Sequence, residues 1–96
     1  MSAPTLASIV TATLAAFPEV SYRELFSMRR PRMAVRARQV AFFVAREDTG
    51  FSFPQIGRCF GRDHTTVMYG ASVIAHLIAG GDAIAARVAQ VRRAAS

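Results

Sequence analysis

The sequence predicts an all-α domain of about six helices built around a helix-turn-helix, and three observations support this reading. Apolar residues recur at helical spacing along nearly the whole chain, with no alternating strand pattern, repeat or low-complexity segment. Capping residues, prolines and glycines divide that pattern into six segments. Residues 53–78 read as a short helix, a glycine turn and a longer helix whose opening turn is polar.

The first helix is expected from about Thr5 to Phe17, where Leu6, Ile9 or Val10, Leu14 and Phe17 share a face and Pro18 stops the run. Ser21 with Glu24 forms a capping box that opens a short second helix, Tyr22 to about Phe26, with Leu25 and Phe26 facing inward. Residues 27–33 are expected to be an exposed connector because Pro31 and clustered arginine disfavour a buried element. A third helix follows from about Met33 to Asp48, with Ala37, Val40, Ala41 and Val44 as its buried stripe and Thr49-Gly50 as its end. Adjacent Phe42 and Phe43 cannot point the same way, so one should meet a neighbouring helix at an angle.

Ser52 and Gln55 make another capping box, and Pro54 sits in the first turn of a fourth helix, where its missing N–H leaves no bond unmade. Ile56 and Phe60 fall on one face, and Gly61 is suited to the left-handed conformation that ends a helix. Asp63 caps the fifth helix, in which Val67, Tyr69 or Gly70, Val73 or Ile74 and Leu77 recur at helical spacing until Gly80-Gly81. Asp82 is expected to cap a sixth helix that carries Ile84, Val88 and Val91 inward and frays near Ala94.

At 96 residues, with 52% hydrophobic side chains, the chain is one domain and not a disordered segment. One cysteine excludes an intramolecular disulfide and makes a reducing interior the default compartment. All 12 basic residues are arginine, against 6 acidic residues, for a net charge of +6. Arg29, Arg30, Arg32, Arg36, Arg38, Arg46, Arg58 and Arg62 lie in one central segment opposed only by Glu47 and Asp48, the pattern of a surface that meets a polyanion. A solvated arginine face is the alternative reading of the same charges. The uncharged N-terminal stretch lacks a basic leader and is interrupted by Thr5, Ser8, Thr11 and Thr13, so it reads as a helix and not a signal peptide. No stretch is long enough to span a bilayer, and the expected location is cytoplasmic, at the nucleoid.

The run Phe60-Gly-Arg-Asp-His-Thr-Thr-Val67, with Ser52 to Gly57 before it and Arg38-Gln39 and Ala45-Arg-Glu47 upstream, closely resembles the C-terminal DNA-binding domain of the bacterial replication initiator DnaA. With the connector Ser27-Met-Arg-Arg30, the resemblance extends from about Ile9 to Leu77. It implies a Trp-repressor-like helix-turn-helix that binds a short asymmetric duplex element, the DnaA box. By the same resemblance Asp63, His64 and Thr65 contact base edges in the major groove, and Arg30 enters the adjacent minor groove. Arg38, Arg46, Phe53, Pro54, Arg62 and Thr66 match positions near the phosphate backbone. The chain departs from the family at four points: Gly61 stands where two glycines are usual, Met28 where lysine is typical, Ala37 where proline is frequent, and Arg58 where the residue is often acidic.

No phosphate-binding Gly-x-x-x-x-Gly-Lys-Ser/Thr loop is present, so this chain carries no ATPase module of its own and no cofactor is expected. Met1 followed by a capped first helix favours a stand-alone relative over a fragment. Cys59, Asp63, His64 and His76 match no zinc spacing, and no metal is expected. Asp63, His64 and Thr65 are consecutive on one helical turn and splay apart, which is unsuited to a catalytic triad, so no enzymatic activity is expected. The expected function is sequence-specific binding of double-stranded DNA at DnaA-box-like sites, in replication control or transcription, with the initiator or other replication proteins as candidate partners. The alternative is a protein-interaction adaptor that keeps the fold with weak or non-specific DNA binding, using the apolar helices Thr5 to Phe17 and Asp82 to Ala94 as a partner surface.

Overall fold

The computed structural model describes residues 3–96; Met1 and Ser2, the start of the expected 1–96 domain, lie outside the described residues. Six helices follow in order: α1 (Leu6–Ala16), α2 (Tyr22–Phe26), α3 (Arg32–Thr49), α4 (Phe53–Phe60), α5 (His64–Ala79) and α6 (Ile84–Ala95). No strand occurs among the described residues.

The longest helix, α3, is the hub and touches each of the other five. Its sequence explains why: small and β-branched residues Ala34, Ala37, Val40, Ala41, Val44 and Ala45 are all buried, so neighbouring helices can approach from several sides. Helix α5 approaches closely where Gly70 faces Phe42 and Gln39 of α3; a methyl group at Gly70 would come within 2.9 Å of the Phe42 ring. Phe42 and Phe43 do diverge. Phe42 is fully buried and edge-on to Phe60 of α4, with centroids 5.1 Å apart, whereas Phe43 is half-buried beneath the Arg92 guanidinium of α6.

The apolar faces of α1 and α6 cover one another. Ile9, Val10, Val88 and Val91 are buried between them and the rest of the core, and two arginines fasten α6 at its sides. Arg87 stacks over Phe17 and binds Glu19 bidentately at 2.8 and 2.9 Å, and Arg92 binds Asp48 through two nitrogens. The Arg87 guanidinium holds the Glu19 carboxyl below the usual carboxylate range.

Several boundaries shift by a residue: α1 lies one residue inside the expected Thr5 to Phe17 at each end, with those two residues as its caps, and α3 ends at Thr49 and not Asp48. The third helix begins at Arg32 and not Met33, because Pro31 has φ −59° and offers its carbonyl to the Val35 N–H, so the connector shortens to residues 27–31. Asp82 is not the N-cap of α6: Ala83 takes that place without a side-chain cap, Asp82 holds the tight turn before it by accepting the Ile84 N–H on Oδ1 at 2.8 Å, and α6 starts one residue later than expected. Buried Ala95 keeps the last helix ordered beyond the expected fraying point.

Helices α4 and α5 are joined by only Gly61, Arg62 and Asp63. Gly61 takes the left-handed conformation at φ +64°, and the Arg62 N–H bonds the Gly57 carbonyl at 2.8 Å, which folds the turn back onto α4. Gly57 is buried under that turn, and a methyl group there would collide with the Arg62 carbonyl oxygen, a backbone atom that cannot swing aside. Replacing Gly57 with Ala should therefore cost about 2 kcal/mol despite the better helix propensity of alanine, lowering Tm by roughly 10 °C in thermal unfolding. An unchanged Tm would show that the turn is looser than this.

Candidate nucleic-acid interface

The polar start of α5 is open to solvent. Asp63, at φ −64° and ψ 146°, is the N-cap, and its Oδ1 accepts the Thr65 N–H at 3.0 Å. His64 Nδ1 lies 3.1 Å from the same oxygen, and the two side chains remain 54% and 64% exposed for His64 and Asp63. The Thr65 N–H, chiefly, holds the Asp63 carboxyl below its ordinary range, so at neutral pH the group is an anion that only accepts hydrogen bonds. Oδ1 is committed to the cap, and the carboxylate as a whole remains exposed to solvent. Thr65 and Thr66 complete an exposed first turn whose N–H groups give it partial positive charge.

Beside this turn lies a cleft of about 450 Å³ between the connector, α3 and α5. Arg30 from the connector, Arg38 from α3 and Arg62 from the α4–α5 turn converge on it, facing Thr65 and Thr66. Arg38 is only 5% exposed. Its Nε donates to the Leu25 carbonyl at 2.7 Å, and its Nη2 donates to the carbonyls of Glu24 at 2.9 Å and Ser27 at 3.1 Å. Arg62 also donates through Nη2 to the Ser27 carbonyl, while its Nη1 reaches the Phe60 carbonyl and the Met28 sulfur, each at 3.2 Å. Burial, followed by the charges of Arg62 and Arg30, lowers the proton affinity of Arg38; burial and then Arg30 do the same for Arg62. Among the described residues no carboxylate pairs with any of these three arginines, so an incoming anion would relieve their mutual repulsion.

A second group forms at the start of α4. The Arg46 guanidinium lies 4.6 Å from the centre of the Phe53 ring and donates to the Phe51 carbonyl at 3.1 Å, and Pro54 is exposed next to them. The Ser52–Gln55 capping box fixes this end of the helix from both sides.

The sequence-selected residues thus fall into the exposed turn of Asp63, His64, Thr65 and Thr66, the cleft of Arg30, Arg38 and Arg62, and the Arg46-Phe53-Pro54 surface. Arg38 differs from the others in being buried and already bonded to three carbonyls. Sequence reasoning missed Gln39, Met28 and Tyr69 as cleft residues. Of the pair left open on α5, Gly70 is the buried one and Tyr69 is 68% exposed. The signal was available, since Tyr69 stands four residues after Thr65 and so shares its face.

Among the described residues no single helix is long and apolar enough to cross a membrane, and no group of three or more potential metal ligands comes together.

Asp63→Asn should leave the melting temperature of the protein unchanged, because asparagine caps as well, whereas Asp63→Ala should lower it; thermal unfolding of the two variants checks the cap.

The family model described as the bacterial dnaA protein helix-turn-helix matches residues 7–74, from within α1 to well into α5. Proteins named chromosomal replication initiator protein DnaA are similar over much of the chain. That of Dechloromonas aromatica is 46% identical over 66 residues, covering 68% of this chain and 14% of that protein. That of Rhizobium johnstonii is 44% identical over 75 residues, 77% of this chain and 16% of the relative, and that of Agrobacterium fabrum is 45% identical over 75 residues, 77% and 15%. The chain therefore spans about one sixth or less of the length of these relatives. With an all-helical fold, a capped helix-turn-helix and a match over most of its residues, the chain belongs to the DnaA C-terminal helix-turn-helix family, membership of which implies DNA binding.

Proposed function

We propose that this protein binds double-stranded DNA sequence-specifically at DnaA-box-like sites and regulates replication initiation or transcription by occupying them, without hydrolysing ATP and without catalysis of its own. The observation that carries this reading is the exposed polar start of α5 opening beside a cleft of three arginines that no carboxylate neutralises among the described residues. Asp63, His64 and Thr65 read base edges in the major groove, Arg30 enters the neighbouring minor groove, and Arg46, Phe53, Pro54, Arg62 and Thr66 lie along the phosphates. Arg38 lies on the same cleft wall and supports it from within. Such a protein acts in the cytoplasm at the nucleoid, and the initiator or other replication proteins are its candidate partners.

The adaptor reading is weaker, because the apolar faces of α1 and α6 that would serve it are spent on each other. A fluorescence anisotropy titration separates the two. A DnaA-box duplex should bind at nanomolar concentration and a scrambled duplex far more weakly. Weak, sequence-blind and steeply salt-dependent binding to both would instead favour the adaptor.

Two substitutions divide the interface by role. Arg46→Ala should weaken binding to every duplex alike and reduce the slope of log K against log salt by about 1. Asp63→Asn should reorder the preferred sequences in a binding selection, and an unchanged ranking would remove Asp63 from the base-reading set.

A further inference from the structure

The Ser27 carbonyl accepts from two guanidinium groups that arrive from different elements, Arg38 on α3 and Arg62 on the turn that leads into α5. Ser27 is also the C-cap of α2 and the first residue of the connector that carries Arg30. Arg38 takes two further carbonyls at the same helix end, Glu24 and Leu25, and Arg62 extends to the sulfur of Met28, the next residue of the connector. The Arg29 N–H in turn donates to Ser27 Oγ at 2.9 Å, so the bonded stretch reaches to the residue before Arg30.

Resting on the DNA-binding reading above, we propose that Arg62 and Arg38 are positioning residues that lock the connector to the recognition helix, so that minor-groove reading by Arg30 is held in register with major-groove reading by α5. The geometry favours arginine for this work. A planar fork reaches two acceptors at once in fixed directions, whereas a lysine ammonium at either position keeps the charge but is a point donor on a flexible stem. The sulfur of Met28 fits beside Arg62 where a lysine ammonium would add a fourth positive charge to Arg30, Arg38 and Arg62. Without the lock, the connector would be held only at its two ends, by short α2 and by Pro31 at the start of α3, and Arg30 would sample more positions relative to α5 at an entropic cost on binding.

The test uses the full chain and a DnaA-box duplex in which 2,6-diaminopurine replaces adenine at A·T pairs. This base adds an amino group in the minor groove and leaves the major-groove edge unaltered. The unaltered protein should lose on the order of tenfold in affinity at the pairs that Arg30 faces, and Arg30→Ala should lose nothing there. Arg62 also lies along the phosphates, so Arg62→Lys is expected to bind the unmodified duplex more weakly, and the readout is the ratio between the two duplexes: Arg62→Lys should show at most a two- to threefold diaminopurine penalty, estimated from that loss of discrimination. Arg38→Lys should behave alike if circular dichroism shows it folded; if it does not fold, Arg62→Lys decides alone. A full penalty retained by Arg62→Lys overturns the lock while leaving DNA binding intact. Selective binding with no penalty in the unaltered protein would remove Arg30 from the minor groove and the lock with it, and no selective binding at all would overturn the functional reading itself.

Discussion

A buried guanidinium without a carboxylate is the constraint on which much of this structure depends. Arg38 projects from the central helix α3 into a site where it is 5% exposed, and the groups that receive its charge are backbone carbonyls at the end of α2. Such a charge is costly to bury unless its donors are met, and the carbonyls at the end of α2 are suited to meet them: they carry partial negative charge, and the Glu24 oxygen accepts from Arg38 in addition to the Ser27 N–H. As a result α2, only five residues long, is fixed against α3, and the connector leaves from a defined point. Using carbonyls in place of an acidic side chain has a second effect: the cleft keeps its net positive charge and remains available to an outside anion.

The turn between α4 and α5 is built by a different economy, that of space. Gly57 and Gly70 allow backbone to approach backbone on α4 and an aromatic ring on α5, and Gly61 supplies the left-handed turn between the two helices. Gly57 and Gly61 draw the turn against α4, and Gly70 seats α5 against Phe42 of α3. The first turn of α5 consequently stands clear of the core, so its side chains need not be apolar, and Asp63, His64, Thr65 and Thr66 are all exposed. The cap fixes the start of this turn, and Thr65 and Thr66 stand on the rim of the arginine cleft.

Most of the fold was legible because its signals are local. Capping boxes at Ser21 and Ser52, the Asp63 cap and the glycine at position 61 depend on residues within one turn of each other, and all four occur as the sequence suggests. The stripe Ala37, Val40, Ala41 and Val44 was equally plain, since a three- or four-residue period leaves no doubt about which face turns inward. Long-range pairings were not legible. Spacing alone sets Arg38 on the inward face, three residues before Ala41, but its charge argues the other way, because it stands in an arginine-rich helix whose other arginines at 32, 36 and 46 are exposed or half-buried. Its role is set by the carbonyls of residues 24, 25 and 27, which carry no side-chain signature. The fastening of α6 through Arg87 to Glu19 and Arg92 to Asp48 was hidden for the same reason. Tyr69 was a different kind of miss, where the spacing from Thr65 was present and a competing apolar assignment obscured it.

On the proposed binding mode, one face of this molecule touches two adjacent grooves of a duplex at once. Dimethyl sulfate footprinting on a DnaA-box duplex tests this in a single measurement, because the reagent methylates guanine N7 in the major groove and adenine N3 in the minor groove. Bound protein should protect guanine N7 at one end of the site together with adenine N3 in the groove beside it. Protection confined to one groove, or absent from both at saturating protein, would contradict it.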